Sequence, residues 1–328
     1  MGASDPTEPG GFRSIPAADA DFLPVAVADG AQIALYRLNA STDGPVLLCG
    51  HATGMAAGSY LPLLRMLADR ARVYAYDMRG HGGSHFGANV DAQTAADSMS
   101  VAALADDLRA VADAVRADAR SDELYYAAHS ISGVAALHLG AAGGHAPWRD
   151  LILFEPPVMI GADHPLHEFS VEDTLKRADG TKRRRAEWDS PEALGDVLRR
   201  RGVFARFRPD MLEAHVHATL RPLADGGYRL ACDPLLESAF FRSVPASGMW
   251  DLLPRFPLPA RFVGGDASLP DPGAEQARWV TVAAPDIAAR VPGATFRSVD
   301  GTDHMMVCER PDACRDLIFD MLDGRPWS

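Results

Sequence analysis

Short apolar runs recur along this chain with amphipathic stretches between them, and that alternation limits the fold more than any other feature. The runs are Phe22–Val27, Gln32–Arg37, Val46–Gly50, Val73–Asp77, Leu124–Ala128, Leu151–Glu155, Ala260–Gly264 and Ala294–Val299. Several are continuously apolar, the pattern of strands covered on both faces. Between them, Val101, Leu104, Leu108, Val111 and Val115 step by three and four, which gives a helix one buried face. Leu61 to Ala68 and Pro311 to Leu322 read the same way. Strands and helices in alternation build an α/β fold, a mostly parallel sheet with helices on both sides. Eight strands are expected.

The chain has 328 residues, 47% of them hydrophobic, enough for one large core or for a core with an inserted subdomain. One region breaks the rhythm. Residues 158–250 show no strand pair but several charged helical segments: Lys176-Arg177, Lys182 to Arg185, Glu192 to Arg201 and Asp210 to Leu220. This stretch is expected to be a mainly helical lid inserted into a core formed by residues 22–157 and 251–328. Its basic clusters, Lys182–Arg185 and Arg199–Arg201, read either as an anion site or as solvated helix faces. Residues 1–21, rich in Gly, Pro, Ala and Asp, are expected to form a loose, flexible arm.

Composition excludes several classes of protein. No apolar run reaches the roughly 18 residues that a membrane span needs. The N-terminus lacks the basic start and apolar stretch of a signal peptide. Four cysteines (Cys49, Cys232, Cys308, Cys314) make no disulfide framework, and their spacing fits no zinc site. A reduced, cytoplasmic protein is the simplest expectation. The net charge of -12 argues against a nucleic-acid partner. A small-molecule substrate is expected, with no membrane partner and no cofactor or metal; homo-oligomerisation stays open.

Four segments carry chemistry, each at the C-terminal end of a strand, where parallel sheets bind ligands. In Tyr125-Tyr126-Ala127-Ala128-His129-Ser130-Ile131-Ser132-Gly133, a strand runs through a tight turn into a helix with a serine at its apex. This is a relaxed G-x-S-x-G, with Ala128 and Ser132 in place of the glycines. A serine becomes a useful nucleophile only when a turn exposes it and a base stands beside it. The N–H of Ile131 would donate to an oxyanion. In Gly50-His51-Ala52-Thr53-Gly54, small residues let a second N–H point into a cavity, that of Thr53 or that of Ala52. Gly301-Thr302-Asp303-His304-Met305-Met306 offers His304 as a base that reaches back to Ser130. Asp77-Met78-Arg79-Gly80-His81-Gly82-Gly83-Ser84 holds Asp, Arg, His and Ser together but reads as a structural turn.

Taken together, these residues resemble the α/β-hydrolase superfamily in its lidded, single-domain branch, over roughly residues 22 to 325. The motifs are His51-Ala52-Thr53-Gly54, Asp77-x-Arg79-Gly80-His81-Gly82-x-Ser84, His129-Ser130-x-Ser132-Gly133, and Asp303-His304 followed by Glu309-Arg310-Pro311. The resemblance implies an eight-stranded α/β-hydrolase sheet with an inserted helical lid, and a Ser, acid, His set. The family's usual acid follows the strand before the last. Here Gly264-Gly265-Asp266-Ala267-Ser268 puts Ser268 at that position, with Asp266 early and Asp271 late. Relatives such as haloalkane dehalogenases carry the acid one strand earlier, and Glu155 ends that strand here. Glu155 is therefore the expected partner of His304, with Asp266 and Asp271 as alternatives.

The expected function is metal-independent hydrolysis of a carboxylic ester or lactone with an apolar body, through an acyl-enzyme. Ser130 would attack, His304 would carry the proton and Glu155 would orient the imidazole. The N–H groups of Thr53 and Ile131 would hold the oxyanion. Phe240, Phe241, Met249, Trp250, Met305 and Met306 are candidates to touch the substrate or to be ordinary core. A C–C bond hydrolase, a thioesterase or acyltransferase, and a receptor with little turnover remain alternatives on the same fold.

Overall fold

The eight expected runs form the strands of a single sheet. In the computed structural model, which describes residues 11–39, 43–87, 90–143, 146–271, 274 and 278–327, these are β1 Ala20–Ala26, β2 Gln32–Leu38, β3 Val46–Gly50, β4 Arg72–Tyr76, β5 Tyr125–His129 and β6 Asp150–Phe154, with β10 Arg261–Gly264 and β11 Thr295–Ser298 completing the sheet. The insertion adds β7 Glu187–Trp188, β8 Leu220–Pro222 and β9 Tyr228–Leu230. The large sheet runs in the order β1-β2-β4-β3-β5-β6-β10-β11. Its first two pairings are antiparallel and the rest parallel.

The helices are α1 Leu61–Ala68, α2 Ala92–Asp97, α3 Val101–Ala119, α4 Ile131–Gly143, α5 His167–Lys182 and α6 Pro191–Leu198, followed by α7 Pro209–Thr219, α8 Pro234–Ser243, α9 Met249–Leu252, α10 Trp279–Ala289, α11 Met306–Glu309 and α12 Pro311–Leu322. Side chains of the central strands alternate between two apolar layers. Leu48, Tyr126, Ala128, Leu151 and Leu153 pack into the layer of α3 and α4, with Leu104, Leu108 and Val134. Leu47, Ala127, Ile152 and Phe154 pack into the layer of α1 and α12, with Leu64 and Ile318. A strand that faces two helix layers needs apolar residues at every position, which explains the unbroken runs. Hydroxyl and carboxylate caps set the helix starts: Ser100 Oγ accepts from Ala103 N–H at α3, and Asp233 caps α8.

Two expectations need correction. Residues 11–21 are packed rather than loose: Ile15 is fully buried, and Ser14 Oγ donates to Asp77 Oδ1 at 2.9 Å. A polar composition concealed the buried apolar residues Phe12 and Ile15, and the hydrogen bonds of Ser14 to Asp77, Tyr36 and Gly58. Residues 1–10 lie outside the described residues. The stretch 158–250 is mainly helical, but it also holds a three-stranded antiparallel sheet, β7-β9-β8, where no strand pair was expected. Strands of two and three residues are too short to leave a periodic signal. Among the described residues, no helix is long and apolar enough to cross a membrane.

Candidate active site

Every segment marked as chemical lies at the C-terminal edge of the parallel strands. Ser130 stands between β5 and α4 with φ of 60°, in the left-handed region that a side chain normally avoids. Such a conformation costs on the order of 1–3 kcal/mol and persists only where its surroundings fix it. Here Ser130 N–H donates to the Phe154 carbonyl of β6, Gly133 N–H to the Ser130 carbonyl, and Ser132 Oγ to the His129 carbonyl, each at 2.9 Å. The turn directs Ser130 Oγ toward His304 Nε2, 3.1 Å away.

Glu155, the residue after β6, is also left-handed, with φ of 41°. Its carboxylate is fully buried and fully engaged. Oε2 accepts from His304 Nδ1 at 2.8 Å and from the Thr281 hydroxyl at 3.1 Å, while Oε1 accepts from Gly265 N–H at 2.6 Å. With Nδ1 donating to a carboxylate, Nε2 is left to accept from Ser130. Ser130, His304 and Glu155 thus form one chain of hydrogen bonds. The two alternatives to Glu155 are engaged elsewhere. Asp266 is half-buried and accepts from Ser268 and Gly301, and those bonds hold its carboxyl below the usual range. Asp271 pairs with Arg177 and Arg278. Asp303, adjacent to His304, caps the N–H of Met305 at 2.8 Å.

Ala52 and Thr53 differ in what their N–H groups bond to. Ala52 N–H donates to Tyr60 Oη at 3.1 Å and is occupied. The N–H groups of Thr53 and Ile131 have no partner among the described residues, and both residues line the same cavity as Ser130 and His304. The turn is held from behind: Gly54 N–H donates to His81 Nε2 at 3.0 Å. Gly54 has φ of +71°, and a Cβ there would stand 2.4 Å from Glu237 Oε1 on α8.

Sequence reasoning missed a supporting layer. His129 Nε2–H donates to the His304 carbonyl at 2.9 Å, and His129 Nδ1 lies 2.7 Å from Tyr60 Oη, which must donate to it. The Tyr60 hydroxyl therefore links the Ala52 turn to the backbone of His304. Burial, and after it the neighbouring His304, pushes the His129 pKa down to about 3, so it bridges as a neutral ring. Burial pushes His81 down to about 4. The only signal in sequence was the histidine directly before the elbow serine. The Asp77–Ser84 segment is tied by hydrogen bonds both within itself and to the surrounding core, as a structural turn would be. Asp77 accepts from Ser14, Tyr36, Ala57 N–H and Gly83 N–H, yet burial still raises its carboxyl to about 6.

The cavity above Ser130 holds about 530 Å³ of empty space, part of it open to solvent. Phe240 and Phe241 of α8 line it; Met249, Trp250, Met305 and Met306 are not on its wall and are buried in the core. The basic clusters lie elsewhere, with Arg183, Arg184, Arg185 and Arg201 around a separate surface cavity. A serine, a neutral imidazole and a buried carboxylate in sequence can move a proton off the hydroxyl, while two free N–H groups can hold a developing oxyanion.

This fold and this placement of residues define the α/β-hydrolase class. The chain belongs to the alpha/beta hydrolase family, whose model matches residues 46–317. Among solved structures it is similar to E-2-(acetamidomethylene)succinate hydrolase, at 18% identity and a TM-score of 0.69 over 92% of this chain and 100% of that one. It is also similar to the enol-lactonase from Burkholderia xenovorans, at 18% identity and a TM-score of 0.62 over 92% and 100%. A third similar structure is the thioesterase domain from the curacin biosynthetic pathway, at 18% identity and a TM-score of 0.67 over 92% and 99%. Comparison with curated protein sequences finds no match.

Proposed function

We propose that this protein is a serine hydrolase that cleaves a carboxylic ester or lactone with an apolar body. The observation that carries the reading is the hydrogen-bond chain from Ser130 Oγ through His304 to Glu155, at 3.1 and 2.8 Å. Ser130 attacks the carbonyl carbon as His304 Nε2 takes its proton. Glu155 keeps the imidazole proton on Nδ1 and stabilises the imidazolium. The oxyanion sits between the N–H groups of Thr53 and Ile131. His304 then returns its proton to the leaving alkoxide, and water resolves the acyl-enzyme by the reverse sequence.

The apolar wall of the cavity suits a hydrocarbon body, and residues 158–250 serve as the lid that closes over it. That an enol-lactonase shares the fold agrees with an ester or lactone substrate. A serine nucleophile favours an acyl intermediate. A fluorophosphonate probe tests the reading: it is expected to label Ser130, as mapped by peptide mass spectrometry. Ser130→Ala is expected to remove labelling and nearly all 4-nitrophenyl ester hydrolysis with little change in Tm. Labelling at another residue, or activity kept by the alanine variant, would reject it.

A further inference from the structure

Two arginines line the cavity that holds Ser130. Arg177 comes from α5 in the insertion, and Arg278 is the residue before α10. Most of the remaining wall is apolar, including Pro157, Phe240, Val244 and Trp279, and no carboxylate lines it among the described residues. The acids that hold the arginines lie behind them. Asp271 Oδ2 accepts from Arg177 Nη2 at 2.5 Å, and Asp271 Oδ1 accepts from Arg278 Nε at 3.1 Å. Asp173 Oδ2 accepts from Arg177 Nε at 2.7 Å.

Each guanidinium is therefore gripped along one edge. Of the five N–H donors that a guanidinium carries, those on Nη1 of both arginines have no partner among the described residues. Thr174 lies one turn before Arg177 on the same face of α5. It is buried and also lines the cavity, and its hydroxyl has no partner among the described residues. A held guanidinium with unused donors beside an apolar cavity has the chemistry to take an anion. Charge bears on which anion fits. Two guanidiniums are set against two carboxylates, Asp173 and Asp271, so the cluster is neutral as it stands. That balance suits a singly charged carboxylate better than a dianionic phosphate.

We propose that the substrate carries a carboxylate at the end of its apolar body, bound by Arg177, Arg278 and Thr174. This inference rests on the hydrolase reading and names the substrate class within it: an acidic ester or lactone rather than a neutral one. The competing role for the same residues is a latch, with Asp271 tying α5 of the insertion to the segment before α10.

A matched ester series separates the two. Mono-4-nitrophenyl esters of glutaric, adipic and suberic acid are compared with the same esters capped as methyl esters, so that only the charge changes. At the best chain length, wild-type kcat/KM is expected to favour the free acid by about tenfold or more. Arg278→Gln and Arg177→Gln are each expected to cut that preference by about tenfold, chiefly through KM. Asp271→Asn breaks the latch but leaves both guanidiniums, and is expected to keep the preference. Equal losses on acid and capped ester in all three variants, or a wild type that prefers the capped ester or a phosphate-terminated ester, would overturn the proposal. Calorimetric titration with adipate reads the subsite without turnover. Adipate binding lost in Arg278→Gln, with no ester cleaved by wild type, would keep the anion site and reject the hydrolase reading. Absence of adipate binding to wild type, together with turnover of the capped ester alone, would do the reverse.

Discussion

An alcohol, an imidazole and a carboxylate are ordinary groups until their surroundings constrain them, and at Glu155 the constraint is unusually complete. The carboxylate has no contact with water, and each of its oxygens accepts a hydrogen bond. Gln at this position keeps the size but replaces one acceptor oxygen with an N–H₂ group. The imidazole then loses the bond that fixes its tautomer. Glu155→Gln is expected to lower kcat by about a hundredfold or more. Asp266→Asn, at a turn carboxylate that makes no bond to His304, is expected to change kcat by less than about threefold. Steady-state kinetics on one ester checks both, and the reverse ranking would move the acid to Asp266. His129 acts more remotely. It holds the His304 carbonyl in place through its Nε2–H.

Among the elements, the turn between β3 and α1 is held from several sides by its neighbours. Its Thr53 N–H has no partner among the described residues, while Ala52 N–H is bound by Tyr60 and Gly54 N–H by His81. Gly54 also lies against Glu237 of α8, whose carboxylate is gripped by Arg184 Nη1 through both oxygens at 2.6 Å. Burial raises the Glu237 pKa, while Arg184 opposes that rise. A methyl group at Gly54 would meet strain at positive φ and a clash with this ion pair at once. Gly54→Ala is expected to lower kcat by about tenfold through a displaced Thr53 N–H, with fluorophosphonate labelling slowed in step. Unchanged kcat would show that the turn is not the donor.

Charge burial is a property of the whole molecule, and it predicts how stability follows pH. His81, His129 and His215 are buried and pushed down to about 4, 3 and 3, and His51 is also lowered, all chiefly by burial. Below their unfolded value of 6.5, these histidines take up protons in the unfolded chain but not in the folded one. Their contribution is therefore complete above pH 6.5 and is lost as pH falls through 6.5 toward about 3. Asp77, raised to about 6, and Glu309, raised to about 7, act in the opposite sense, since they protonate first in the folded state as pH falls. Asp107 and Glu237 are also raised and His138 is also lowered, so five histidines are set against four carboxyls and leave a net loss. Tm is expected to drop by about 5 °C between pH 7 and pH 5. Differential scanning calorimetry across that range checks the sign, and a rising Tm would mean that the histidines are charged in the fold.

Much of this was legible in the sequence, because the relevant information is local. Apolar residues at every position of Val46–Gly50 and Leu151–Phe154 require two covering layers, which dictates a sheet between helices. Small residues around Ser130 require a tight strand-to-helix turn. What the sequence could not supply was distance between segments far apart in the chain. Glu155 and Asp266 are both carboxylates near strand ends, and only the packing of β6 beside β10 puts Gly265 N–H and His304 on Glu155. Ala52 and Thr53 are neighbours whose N–H groups differ only because a tyrosine eight residues on reaches back to one of them. Ile15 looked like part of a loose arm because a single apolar residue has no period. Arg177 and Arg278, a hundred positions apart, become one wall only once the insertion folds over the sheet. Pattern along a chain determines which elements form and which faces they bury, whereas the pairing of particular polar atoms depends on three-dimensional packing and is decided there.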